Sequence, residues 1–368
     1  MSTYKILSFC GGGERGLMSV IMLQRLQADN PGLLQNTDML TGCSTGAVIS
    51  SFLALYKRYN SFESEESVKQ ALDNIMTLYT DTMPKIFATG GKNPLEPVIP
   101  STVMEAFLKT MSGLIGTDVE TLEKLTMVDL KDCFDLMFPA FNIQKSSQKQ
   151  PGNHLGTIEN TSWGMELFNN FDQSDTGTAY LLDAVIASSS MPGMNGSASV
   201  HSSDGELALG QFVDGAFVNH DPTMAAVSMA VSQGHKLEDI SVICFGTGFM
   251  GNYIANENTE SWGSAQWLNS EVQIDQNIYK TSHIPSLFAN ENRVNPTLNM
   301  CLNGTSTNEI PTQSSLLLGQ RYAYLNPDLL TTYISETAHT VGEIKKMWDF
   351  ANDVDLKSAN DVINRCWL

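Results

Sequence analysis

The sequence has no long hydrophobic run. No window approaches the roughly 18 unbroken apolar residues that a membrane-spanning helix requires. The N-terminal residues Met1 to Tyr4 lead directly into an apolar stretch, without the charged segment and hydrophobic core of a secretory signal. We therefore expect a soluble, cytoplasmic protein without a signal peptide.

Basic residues are scarce in this chain. It carries 21 Lys and Arg residues against 40 Asp and Glu residues, a formal net charge of −19. A surface that binds nucleic acid needs a basic stripe to neutralise phosphates, so nucleic acid is not expected as a partner. The same charge disfavours purely electrostatic docking on anionic lipid, and any peripheral membrane contact is expected to be hydrophobic or local.

The six cysteines form neither a C-x-x-C pair nor any spacing typical of metal ligands. Scattered cysteines of this kind are typical of free thiols in a reducing compartment. We therefore predict no metal centre and no cofactor, and expect the protein's activity to survive a chelator.

One motif for nucleophilic catalysis is present. Gly42-Cys43-Ser44-Thr45-Gly46 is a G-x-S-x-G element between a short apolar strand and a stretch with helical apolar spacing. Such a turn strains the serine and exposes its hydroxyl beside a helix N-terminus, where N–H groups favour a developing negative charge. The alternative interpretation is a glycine turn with an incidental serine.

A second glycine-rich loop follows the first predicted strand, Tyr4 to Phe9. Gly11, Gly13 and Gly16 satisfy G-x-G-x-x-G, which can seat a dinucleotide pyrophosphate on a helix N-terminus. The loop could instead hold the oxyanion of an acyl intermediate through the N–H groups of Gly12 and Gly13. Because a serine turn stands where a ribose-binding acid should close the second strand, the sequence favours the oxyanion site.

Together these motifs carry a family resemblance. The motifs occur along the chain in this order: Gly11-Gly12-Gly13-Glu14-Arg15-Gly16, Gly42 to Gly46, Ala187 to Gly193, Asp214-Gly215-Ala216, Asn219 to Pro222 and Val242 to Gly248. This succession resembles the patatin-like phospholipases over about Tyr4 to Gly248, with a weaker match at Gln320 to Pro327. Several motifs in one order are more specific than any one of them.

The resemblance implies a serine–aspartate dyad and a lipid acyl hydrolase without metal or cofactor. Ser44 would be the nucleophile and Asp214 its base, acting on carboxylic esters of phospholipids, lysophospholipids or acylglycerols. The implied oxyanion hole comprises Gly11, Gly12, Gly13 and Arg15, and the glycines of the nucleophile elbow are Gly42 and Gly46. Two alternatives remain, a dinucleotide-binding α/β protein that uses Gly11, Gly13 and Gly16, and a non-catalytic lipid-binding relative.

Several neighbouring side chains have more than one interpretation. Arg15 would hold the glycine loop by bonding carbonyl groups, or contact a lipid phosphate. His220 is interpreted as a residue at a helix start, with substrate contact as the alternative. His339, which a three-residue triad would require as base, is expected on an exposed helical surface. Glu14 stands where the family usually has an apolar residue.

The fold that the motifs and the resemblance imply is an α/β fold with three layers, a mainly parallel sheet between helices. The expected domains are a catalytic domain over 1–328 and a C-terminal helical extension over 329–368 packed on it. The expected partners are a lipid substrate, a transient membrane surface and an activating protein, which many relatives need.

Three further elements are predicted from periodicity and composition. Val119 to Leu130 is predicted as one helix, and Asp135 to Ile143 as a strand whose proline places it near an edge or bend. Phe87 to Pro100, rich in glycine and proline, is predicted as a loop, either a lid or a plain surface connection.

Overall fold

The computed structural model describes most of the chain, and every statement below concerns that part. The described residues are 3–88, 99, 101–144, 163–172, 174–204, 209–249, 252–254, 259–264, 267, 279–281, 297, 309–329 and 334–367. The predicted loop over Phe87 to Pro100 lies largely outside them, apart from its first two residues, which end a helix, and residue 99.

An eight-stranded sheet forms the centre of the molecule. Its strands are β1 (Tyr4–Phe9), β2 (Met39–Gly42), β3 (Asp135–Asn142), β4 (Gly164–Asn169), β5 (Ala198–Val200), β6 (Gly210–Asp214), β7 (Ile240–Phe245) and β10 (Tyr322–Leu325). Strands β8 (Asn252–Ile254) and β9 (Tyr279–Thr281) form a separate antiparallel pair. The strand order is β10-β7-β1-β2-β3-β6-β5, with β4 also paired to β3. The neighbours from β10 to β3 are parallel, whereas β4, β5 and β6 pair antiparallel.

Helices cover both faces of this sheet. They are α1 (Gly16–Asp29), α2 (Thr45–Asn60), α3 (Glu65–Thr77), α4 (Met83–Ala88), α5 (Ser101–Ile115), α6 (Val119–Glu123), α7 (Leu181–Ser188), α8 (Ala216–Asn219), α9 (Thr223–Ser232), α10 (Ile310–Leu318), α11 (Val341–Asp353) and α12 (Lys357–Cys366). A π-helical turn over Leu78–Thr82 joins α3 to α4. No helix in the described ranges is both long and apolar enough to cross a membrane.

Alternating side chains of the strands supply two hydrophobic cores. On β1, Leu7 and Phe9 face the larger core, which α1, α2, α3, α7, α11 and α12 cover. Ile6 faces the smaller core, which is closed by α9 and by Leu318 at the end of α10. Because strand side chains alternate between faces, the nearly continuous apolar sequence of β1 suits a strand buried on both sides. The expected three-layer α/β fold with a mostly parallel sheet is confirmed.

Strand β3 determines how the two halves of the sheet meet. β2 pairs with Asp135 to Met137 and β6 with Ala140 to Asn142, whereas β4 pairs along Met137 to Asn142. Since β4 occupies one edge of β3 from Met137 to Asn142, where β6 and the last residue of β2 also pair, β2 and β6 must share the other edge. β2 is parallel to β3 and β6 antiparallel, so their carboxyl ends point at each other across a short gap.

Pro139 lies in this gap, and β3 is an interior strand. Of the two expected positions, near an edge or near a bend, the edge is therefore wrong. A proline is tolerated at this position because neither β2 nor β6 pairs with it: along β3, the pairing with β2 ends at Met137 and the pairing with β6 starts at Ala140.

The helix predicted over Val119 to Leu130 is also wrong in extent. α6 ends at Glu123, and a separate 3-10 turn spans Met127–Leu130. This turn begins with a capping box, in which the side chain of Thr126 accepts the backbone N–H of Asp129 and the side chain of Asp129 accepts that of Thr126. The C-terminal helices pack on the sheet domain, α11 against α1 and α12 against β7 and β10. The predicted boundary at 328 stays a prediction.

Candidate active site

Ser44 occupies a strained turn between β2 and α2. Its backbone has φ 54° and ψ −120°, a conformation that few residues other than glycine adopt. The turn is crowded: a β-carbon on Gly42 would lie 2.0 Å from the carbonyl oxygen of Gly46, and one on Gly46 would lie 2.2 Å from that of Phe9. Both predicted elbow glycines are therefore required by space, and together they hold the serine hydroxyl clear of the backbone.

The Ser44 hydroxyl donates a hydrogen bond to Asp214. The distance from Oγ to Oδ2 is 2.8 Å, and Asp214, the last residue of β6, is completely buried. Its other oxygen, Oδ1, accepts the N–H of Ala216 at 2.8 Å, and the Cys43 sulfur lies 3.9 Å from it. One carboxylate oxygen is thus anchored by the protein while the other faces the hydroxyl.

Burial brings the pKa of Asp214 into the neutral range. Removal from water raises the pKa of its carboxyl to about 7, with the negative charge of Glu336 adding to the rise. The hydrogen bonds from the Ala216 N–H and the Ser44 hydroxyl act in the opposite direction. A carboxylate with a pKa near neutrality can both accept a proton from serine and return it to a leaving group.

Ser188, at the end of α7, connects the two residues. Its hydroxyl accepts the N–H of Ser44 at 3.2 Å and donates to the carbonyl oxygen of Pro139 at 2.7 Å, and its own carbonyl oxygen accepts the N–H of Gly215 at 3.2 Å. Ser188 thus bridges the gap between β2 and β6. In the sequence, Ser188 lies within the motif from Ala187 to Gly193, to which no such role was assigned.

The glycine loop after β1 lies beside this turn. Gly12 has φ 146° and Gly13 φ 58°, and a β-carbon on Gly12 would lie 2.3 Å from the Thr247 hydroxyl. The N–H of Gly11 donates to the carbonyl oxygen of His220 at 3.1 Å, so this group supports the loop. Within the described part of the chain, no acceptor takes the N–H of Gly12 or Gly13, and these two donors are available to a ligand.

Arg15 forms an ion pair with Glu336. Its guanidinium Nη2 lies 2.5 Å from Oε1 of Glu336, with the arginine side chain 3% exposed. The carbonyl oxygen of Glu336 also accepts the N–H of Glu14 at 2.8 Å. Of the roles predicted for Arg15, these contacts favour holding the loop over contacting a lipid phosphate or taking part in the oxyanion hole. Glu336 was not identified from the sequence because its partner lies more than 300 positions away.

Glu14 is a buried acid inside the same loop. Neither carboxyl oxygen has a hydrogen-bond partner among the described residues, and burial raises the pKa of the group to about 10. Glu14 is therefore protonated at neutral pH. It fills the position that is usually apolar in the resembling family, and it does so as a neutral group.

The two histidines named in the sequence analysis lie in different surroundings. His220 follows α8, and its ring packs over Gly11, so the predicted helix-start position is wrong: α9 begins only at Thr223. His339 is exposed, with Nδ1 3.0 Å from the carbonyl oxygen of Thr337, and makes no contact with the dyad. Within the described residues, no histidine is hydrogen-bonded to Ser44 as the base of a triad.

One described cluster has the chemistry of a metal site. Cys10, Asp221 and Cys244 bring three potential ligand atoms within 4.8 Å of one another, with 3.7 Å between the two sulfurs and 3.6 Å from Cys244 Sγ to Asp221 Oδ1. Burial raises the pKa of the Asp221 carboxyl and of the Cys244 thiol. The pKa of the Cys10 thiol is raised by its hydrogen bond with Cys244 and by burial. The three side chains therefore form a hydrogen-bonded set behind the glycine loop, and burial there favours their uncharged forms.

A separate polar cleft lies at the opposite edge of the sheet. It has a volume of about 560 Å³ and is lined by the residues at the starts of β1, β2 and β3, including Tyr4, Asp38 and Asp135. Ser44 follows the carboxyl end of β2, so this cleft takes no part in the candidate active site.

Comparisons with known proteins agree with this geometry. A profile of the patatin-like phospholipase family matches residues 7–227, more than half of the chain. The chain is 24% identical over 369 residues to a Bacillus subtilis protein named "Putative sporulation hydrolase CotR", covering 100% of this chain and 99% of that one. It is 26% identical over 370 residues to "Protein teg" of Priestia megaterium, covering both chains completely.

Among solved structures, VipD from Legionella pneumophila is similar with a TM-score of 0.41 and 14% identity, covering 99% of this chain and 67% of that one. The family profile spans the glycine loop, the elbow and Asp214, which are the parts that meet in the structure. The family supports lipid hydrolysis as the general activity, and on this match the chain belongs to the patatin-like phospholipases.

Proposed function

We propose that this protein is a lipid acyl hydrolase that cleaves carboxylic esters through an acyl-enzyme on Ser44. The observation that carries the proposal is the 2.8 Å hydrogen bond between Ser44 Oγ and the buried Asp214 carboxylate. A serine hydroxyl is a weak nucleophile unless a base accepts its proton, and Asp214 is the base in reach. Neither Ser44 nor Asp214 has a histidine as a hydrogen-bond partner within the described residues.

The reaction follows from the positions of these groups. Asp214 takes the proton of Ser44 as Oγ attacks the ester carbonyl carbon, and the resulting oxyanion receives the N–H groups of Gly12 and Gly13. The intermediate collapses when Asp214 returns the proton to the leaving alcohol oxygen. Water then attacks the acyl-enzyme, Asp214 again acts as base, and the fatty acid is released with Ser44 restored.

The substrate class that fits this chemistry is a lipid with a carboxylic ester. Family membership supports a phospholipase A-type reaction, and lysophospholipids and acylglycerols offer the same bond. The substrate would be reached at a membrane surface during a transient contact. Because the net charge is −19, we propose a contact that is hydrophobic or local; the activating protein partner stays a prediction.

A fluorophosphonate probe and a fluorogenic phospholipid test the proposal together. The probe should label the wild type, and Ser44→Ala should abolish both labelling and hydrolysis. Asp214→Asn should lower hydrolysis by at least about 10³-fold, because the amide cannot accept the proton. Ser232→Ala, on the exposed face of α9, is the matched control and should behave as wild type.

Two results would contradict the proposal. Labelling that persists in Ser44→Ala would place the nucleophile elsewhere, and undiminished hydrolysis by Asp214→Asn would remove the dyad. Lipid binding by a folded wild type that shows neither labelling nor turnover on mixed phospholipid and acylglycerol vesicles would favour a non-catalytic lipid-binding protein.

A further inference from the structure

The imidazole of His220 lies on the glycine-loop side of the nucleophile. A β-carbon placed on Gly11 would lie 3.2 Å from both Nε2 and Cδ2 of His220 and 3.4 Å from Cβ of Ser44. The ring edge that carries Nε2 and the serine therefore face each other across Gly11. The main chain of His220 is fixed as well, because its carbonyl oxygen accepts the Gly11 N–H at 3.1 Å.

The two ring nitrogens of His220 have different surroundings. Nδ1 is buried and has no hydrogen-bond partner, while the residue as a whole is partly exposed. Nε2 is not among the buried atoms that lack a partner, and no hydrogen bond links it to another described residue. It is therefore the ring nitrogen that is open to a ligand.

The protonation state of the ring follows from this asymmetry. Burial lowers the pKa of His220 to about 4, with the charge of Arg15 acting in the same direction and that of Glu336 opposing it. The ring is therefore neutral at neutral pH and carries one proton. A buried N–H without an acceptor is rarer and more costly than an unfilled acceptor, so the proton belongs on Nε2. The N–H consequently points toward the reaction centre.

We propose that His220 is a catalytic residue whose Nε2–H donates a hydrogen bond to the ester carbonyl oxygen as that oxygen becomes negative. The inference rests on the proposed function and adds a side-chain donor to the N–H groups of Gly12 and Gly13. His220 transfers no proton in this role. The serine proton goes to Asp214, to which Ser44 Oγ is already bonded, and the imidazole keeps its own.

A neutral imidazole is suited to this role. As a donor fixed by its own main chain, it needs no reorganisation when charge develops in the transition state. An imidazolium would also stabilise the oxyanion but would compete for the negative charge of Asp214, lowering the basicity on which the first step depends.

Steady-state kinetics of three variants on a fluorogenic acyl ester test the proposal. His220→Leu keeps the approximate volume and removes the donor, and should lower kcat by about 10²-fold with KM changed by less than about twofold, since the bond forms mainly in the transition state. His220→Gln places an amide N–H near the position of Nε2 and should recover part of that loss. His339→Gln, which alters an exposed histidine, is the control and should match wild type.

A spectroscopic measurement on the wild type covers the case in which His220→Leu does not fold. With ¹⁵N-labelled histidine, the ring should show the Nε2–H tautomer, and its proton signal should move downfield when a fluorophosphonate occupies Ser44. The signal is assigned by its proximity to the Gly11 protons.

The outcomes separate this inference from the proposed function. If wild type hydrolyses the ester and His220→Leu keeps kcat within about threefold, or raises KM alone, His220 does not stabilise the oxyanion. An Nδ1–H tautomer, or a ring signal that phosphonylation does not move, overturns it equally. A wild type that is neither active nor labelled overturns the proposed function itself and this inference with it.

Discussion

The rate of ester hydrolysis should rise with pH as Asp214 ionises. Only the carboxylate form can take the serine proton, and burial raises the pKa of this group to about 7. Below that pH the protonated form of Asp214, which cannot accept the serine proton, predominates in the folded enzyme. Above it the carboxylate predominates, so kcat/KM should climb and then reach a plateau.

The size of the effect follows from the titration of one group. With a pKa of about 7, roughly 9% of the enzyme carries the carboxylate at pH 6 and roughly 91% at pH 8. The activity at pH 8 should therefore be about tenfold that at pH 6, and each further unit below pH 6 should cost about another tenfold.

Glu336→Gln provides a directed shift of this profile. The negative charge of Glu336 contributes to the raised pKa of Asp214, so its removal should lower that pKa and increase the relative activity at pH 6. The matched control is Glu343→Gln, which alters a carboxyl at the exposed start of α11. Initial rates on a water-soluble fluorogenic ester, between pH 5 and 9 at constant ionic strength, measure both profiles. A wild-type rate that is flat over this range, or a Glu336→Gln profile displaced to higher pH, would refute the reasoning.

Other predictions concern the parts that hold the site. Glu14→Leu should stabilise the fold by about 1–3 kcal/mol, because it removes a buried carboxyl without a partner. The folded pKa of Glu14, about 10, lies above its unfolded value, so wild type should lose stability as pH rises from about 4.5 toward 10, and the variant should lose less. Urea denaturation at pH 5 and pH 9 measures this difference. A variant less stable than wild type at both pH values would contradict the prediction. Gly46→Ala should abolish activity or folding, because its β-carbon would lie 2.2 Å from a carbonyl oxygen. Gly113→Ala on α5 is the control and should retain both, because its β-carbon would meet no atom within 4 Å. An active Gly46→Ala enzyme would show that the elbow is not crowded. Hydrolysis should persist after dialysis against a chelator, and its loss on chelation with recovery on adding zinc would instead assign a metal to the cluster of Cys10, Asp221 and Cys244.

The local geometry of the nucleophile could be predicted from sequence because its causes are local. The crowding that requires Gly42 and Gly46 arises between positions four apart and against the adjacent strand, and the strain at Ser44 follows from that turn. The free N–H groups of Gly12 and Gly13 likewise result from positive φ angles within one loop. Asp214, which lies 170 positions from Ser44, was assigned by resemblance, because no local rule relates two residues so far apart.

The supporting contacts could not be predicted in the same way. Ser188 and Glu336 act through main-chain groups of distant segments, and such contacts leave no spacing in the sequence. Pro139 suggested an edge strand because a proline lacks the N–H of a ladder bond. The expectation failed because β2 and β6 share one edge of β3 and leave a gap at that position, a consequence of strand direction that no single segment encodes.

Because β2 and β6 both pair with β3, that strand fixes the separation between their carboxyl ends. The separation runs from Met137, the last residue of β3 that pairs with β2, to Ala140, which pairs with Asp214. Inserting one residue between them would lengthen the interval by about 3.3 Å and turn the following side chains to the opposite face. The 2.8 Å contact between hydroxyl and carboxylate could not survive such a change. A segment that contributes no reacting group thus sets the distance over which the proton moves.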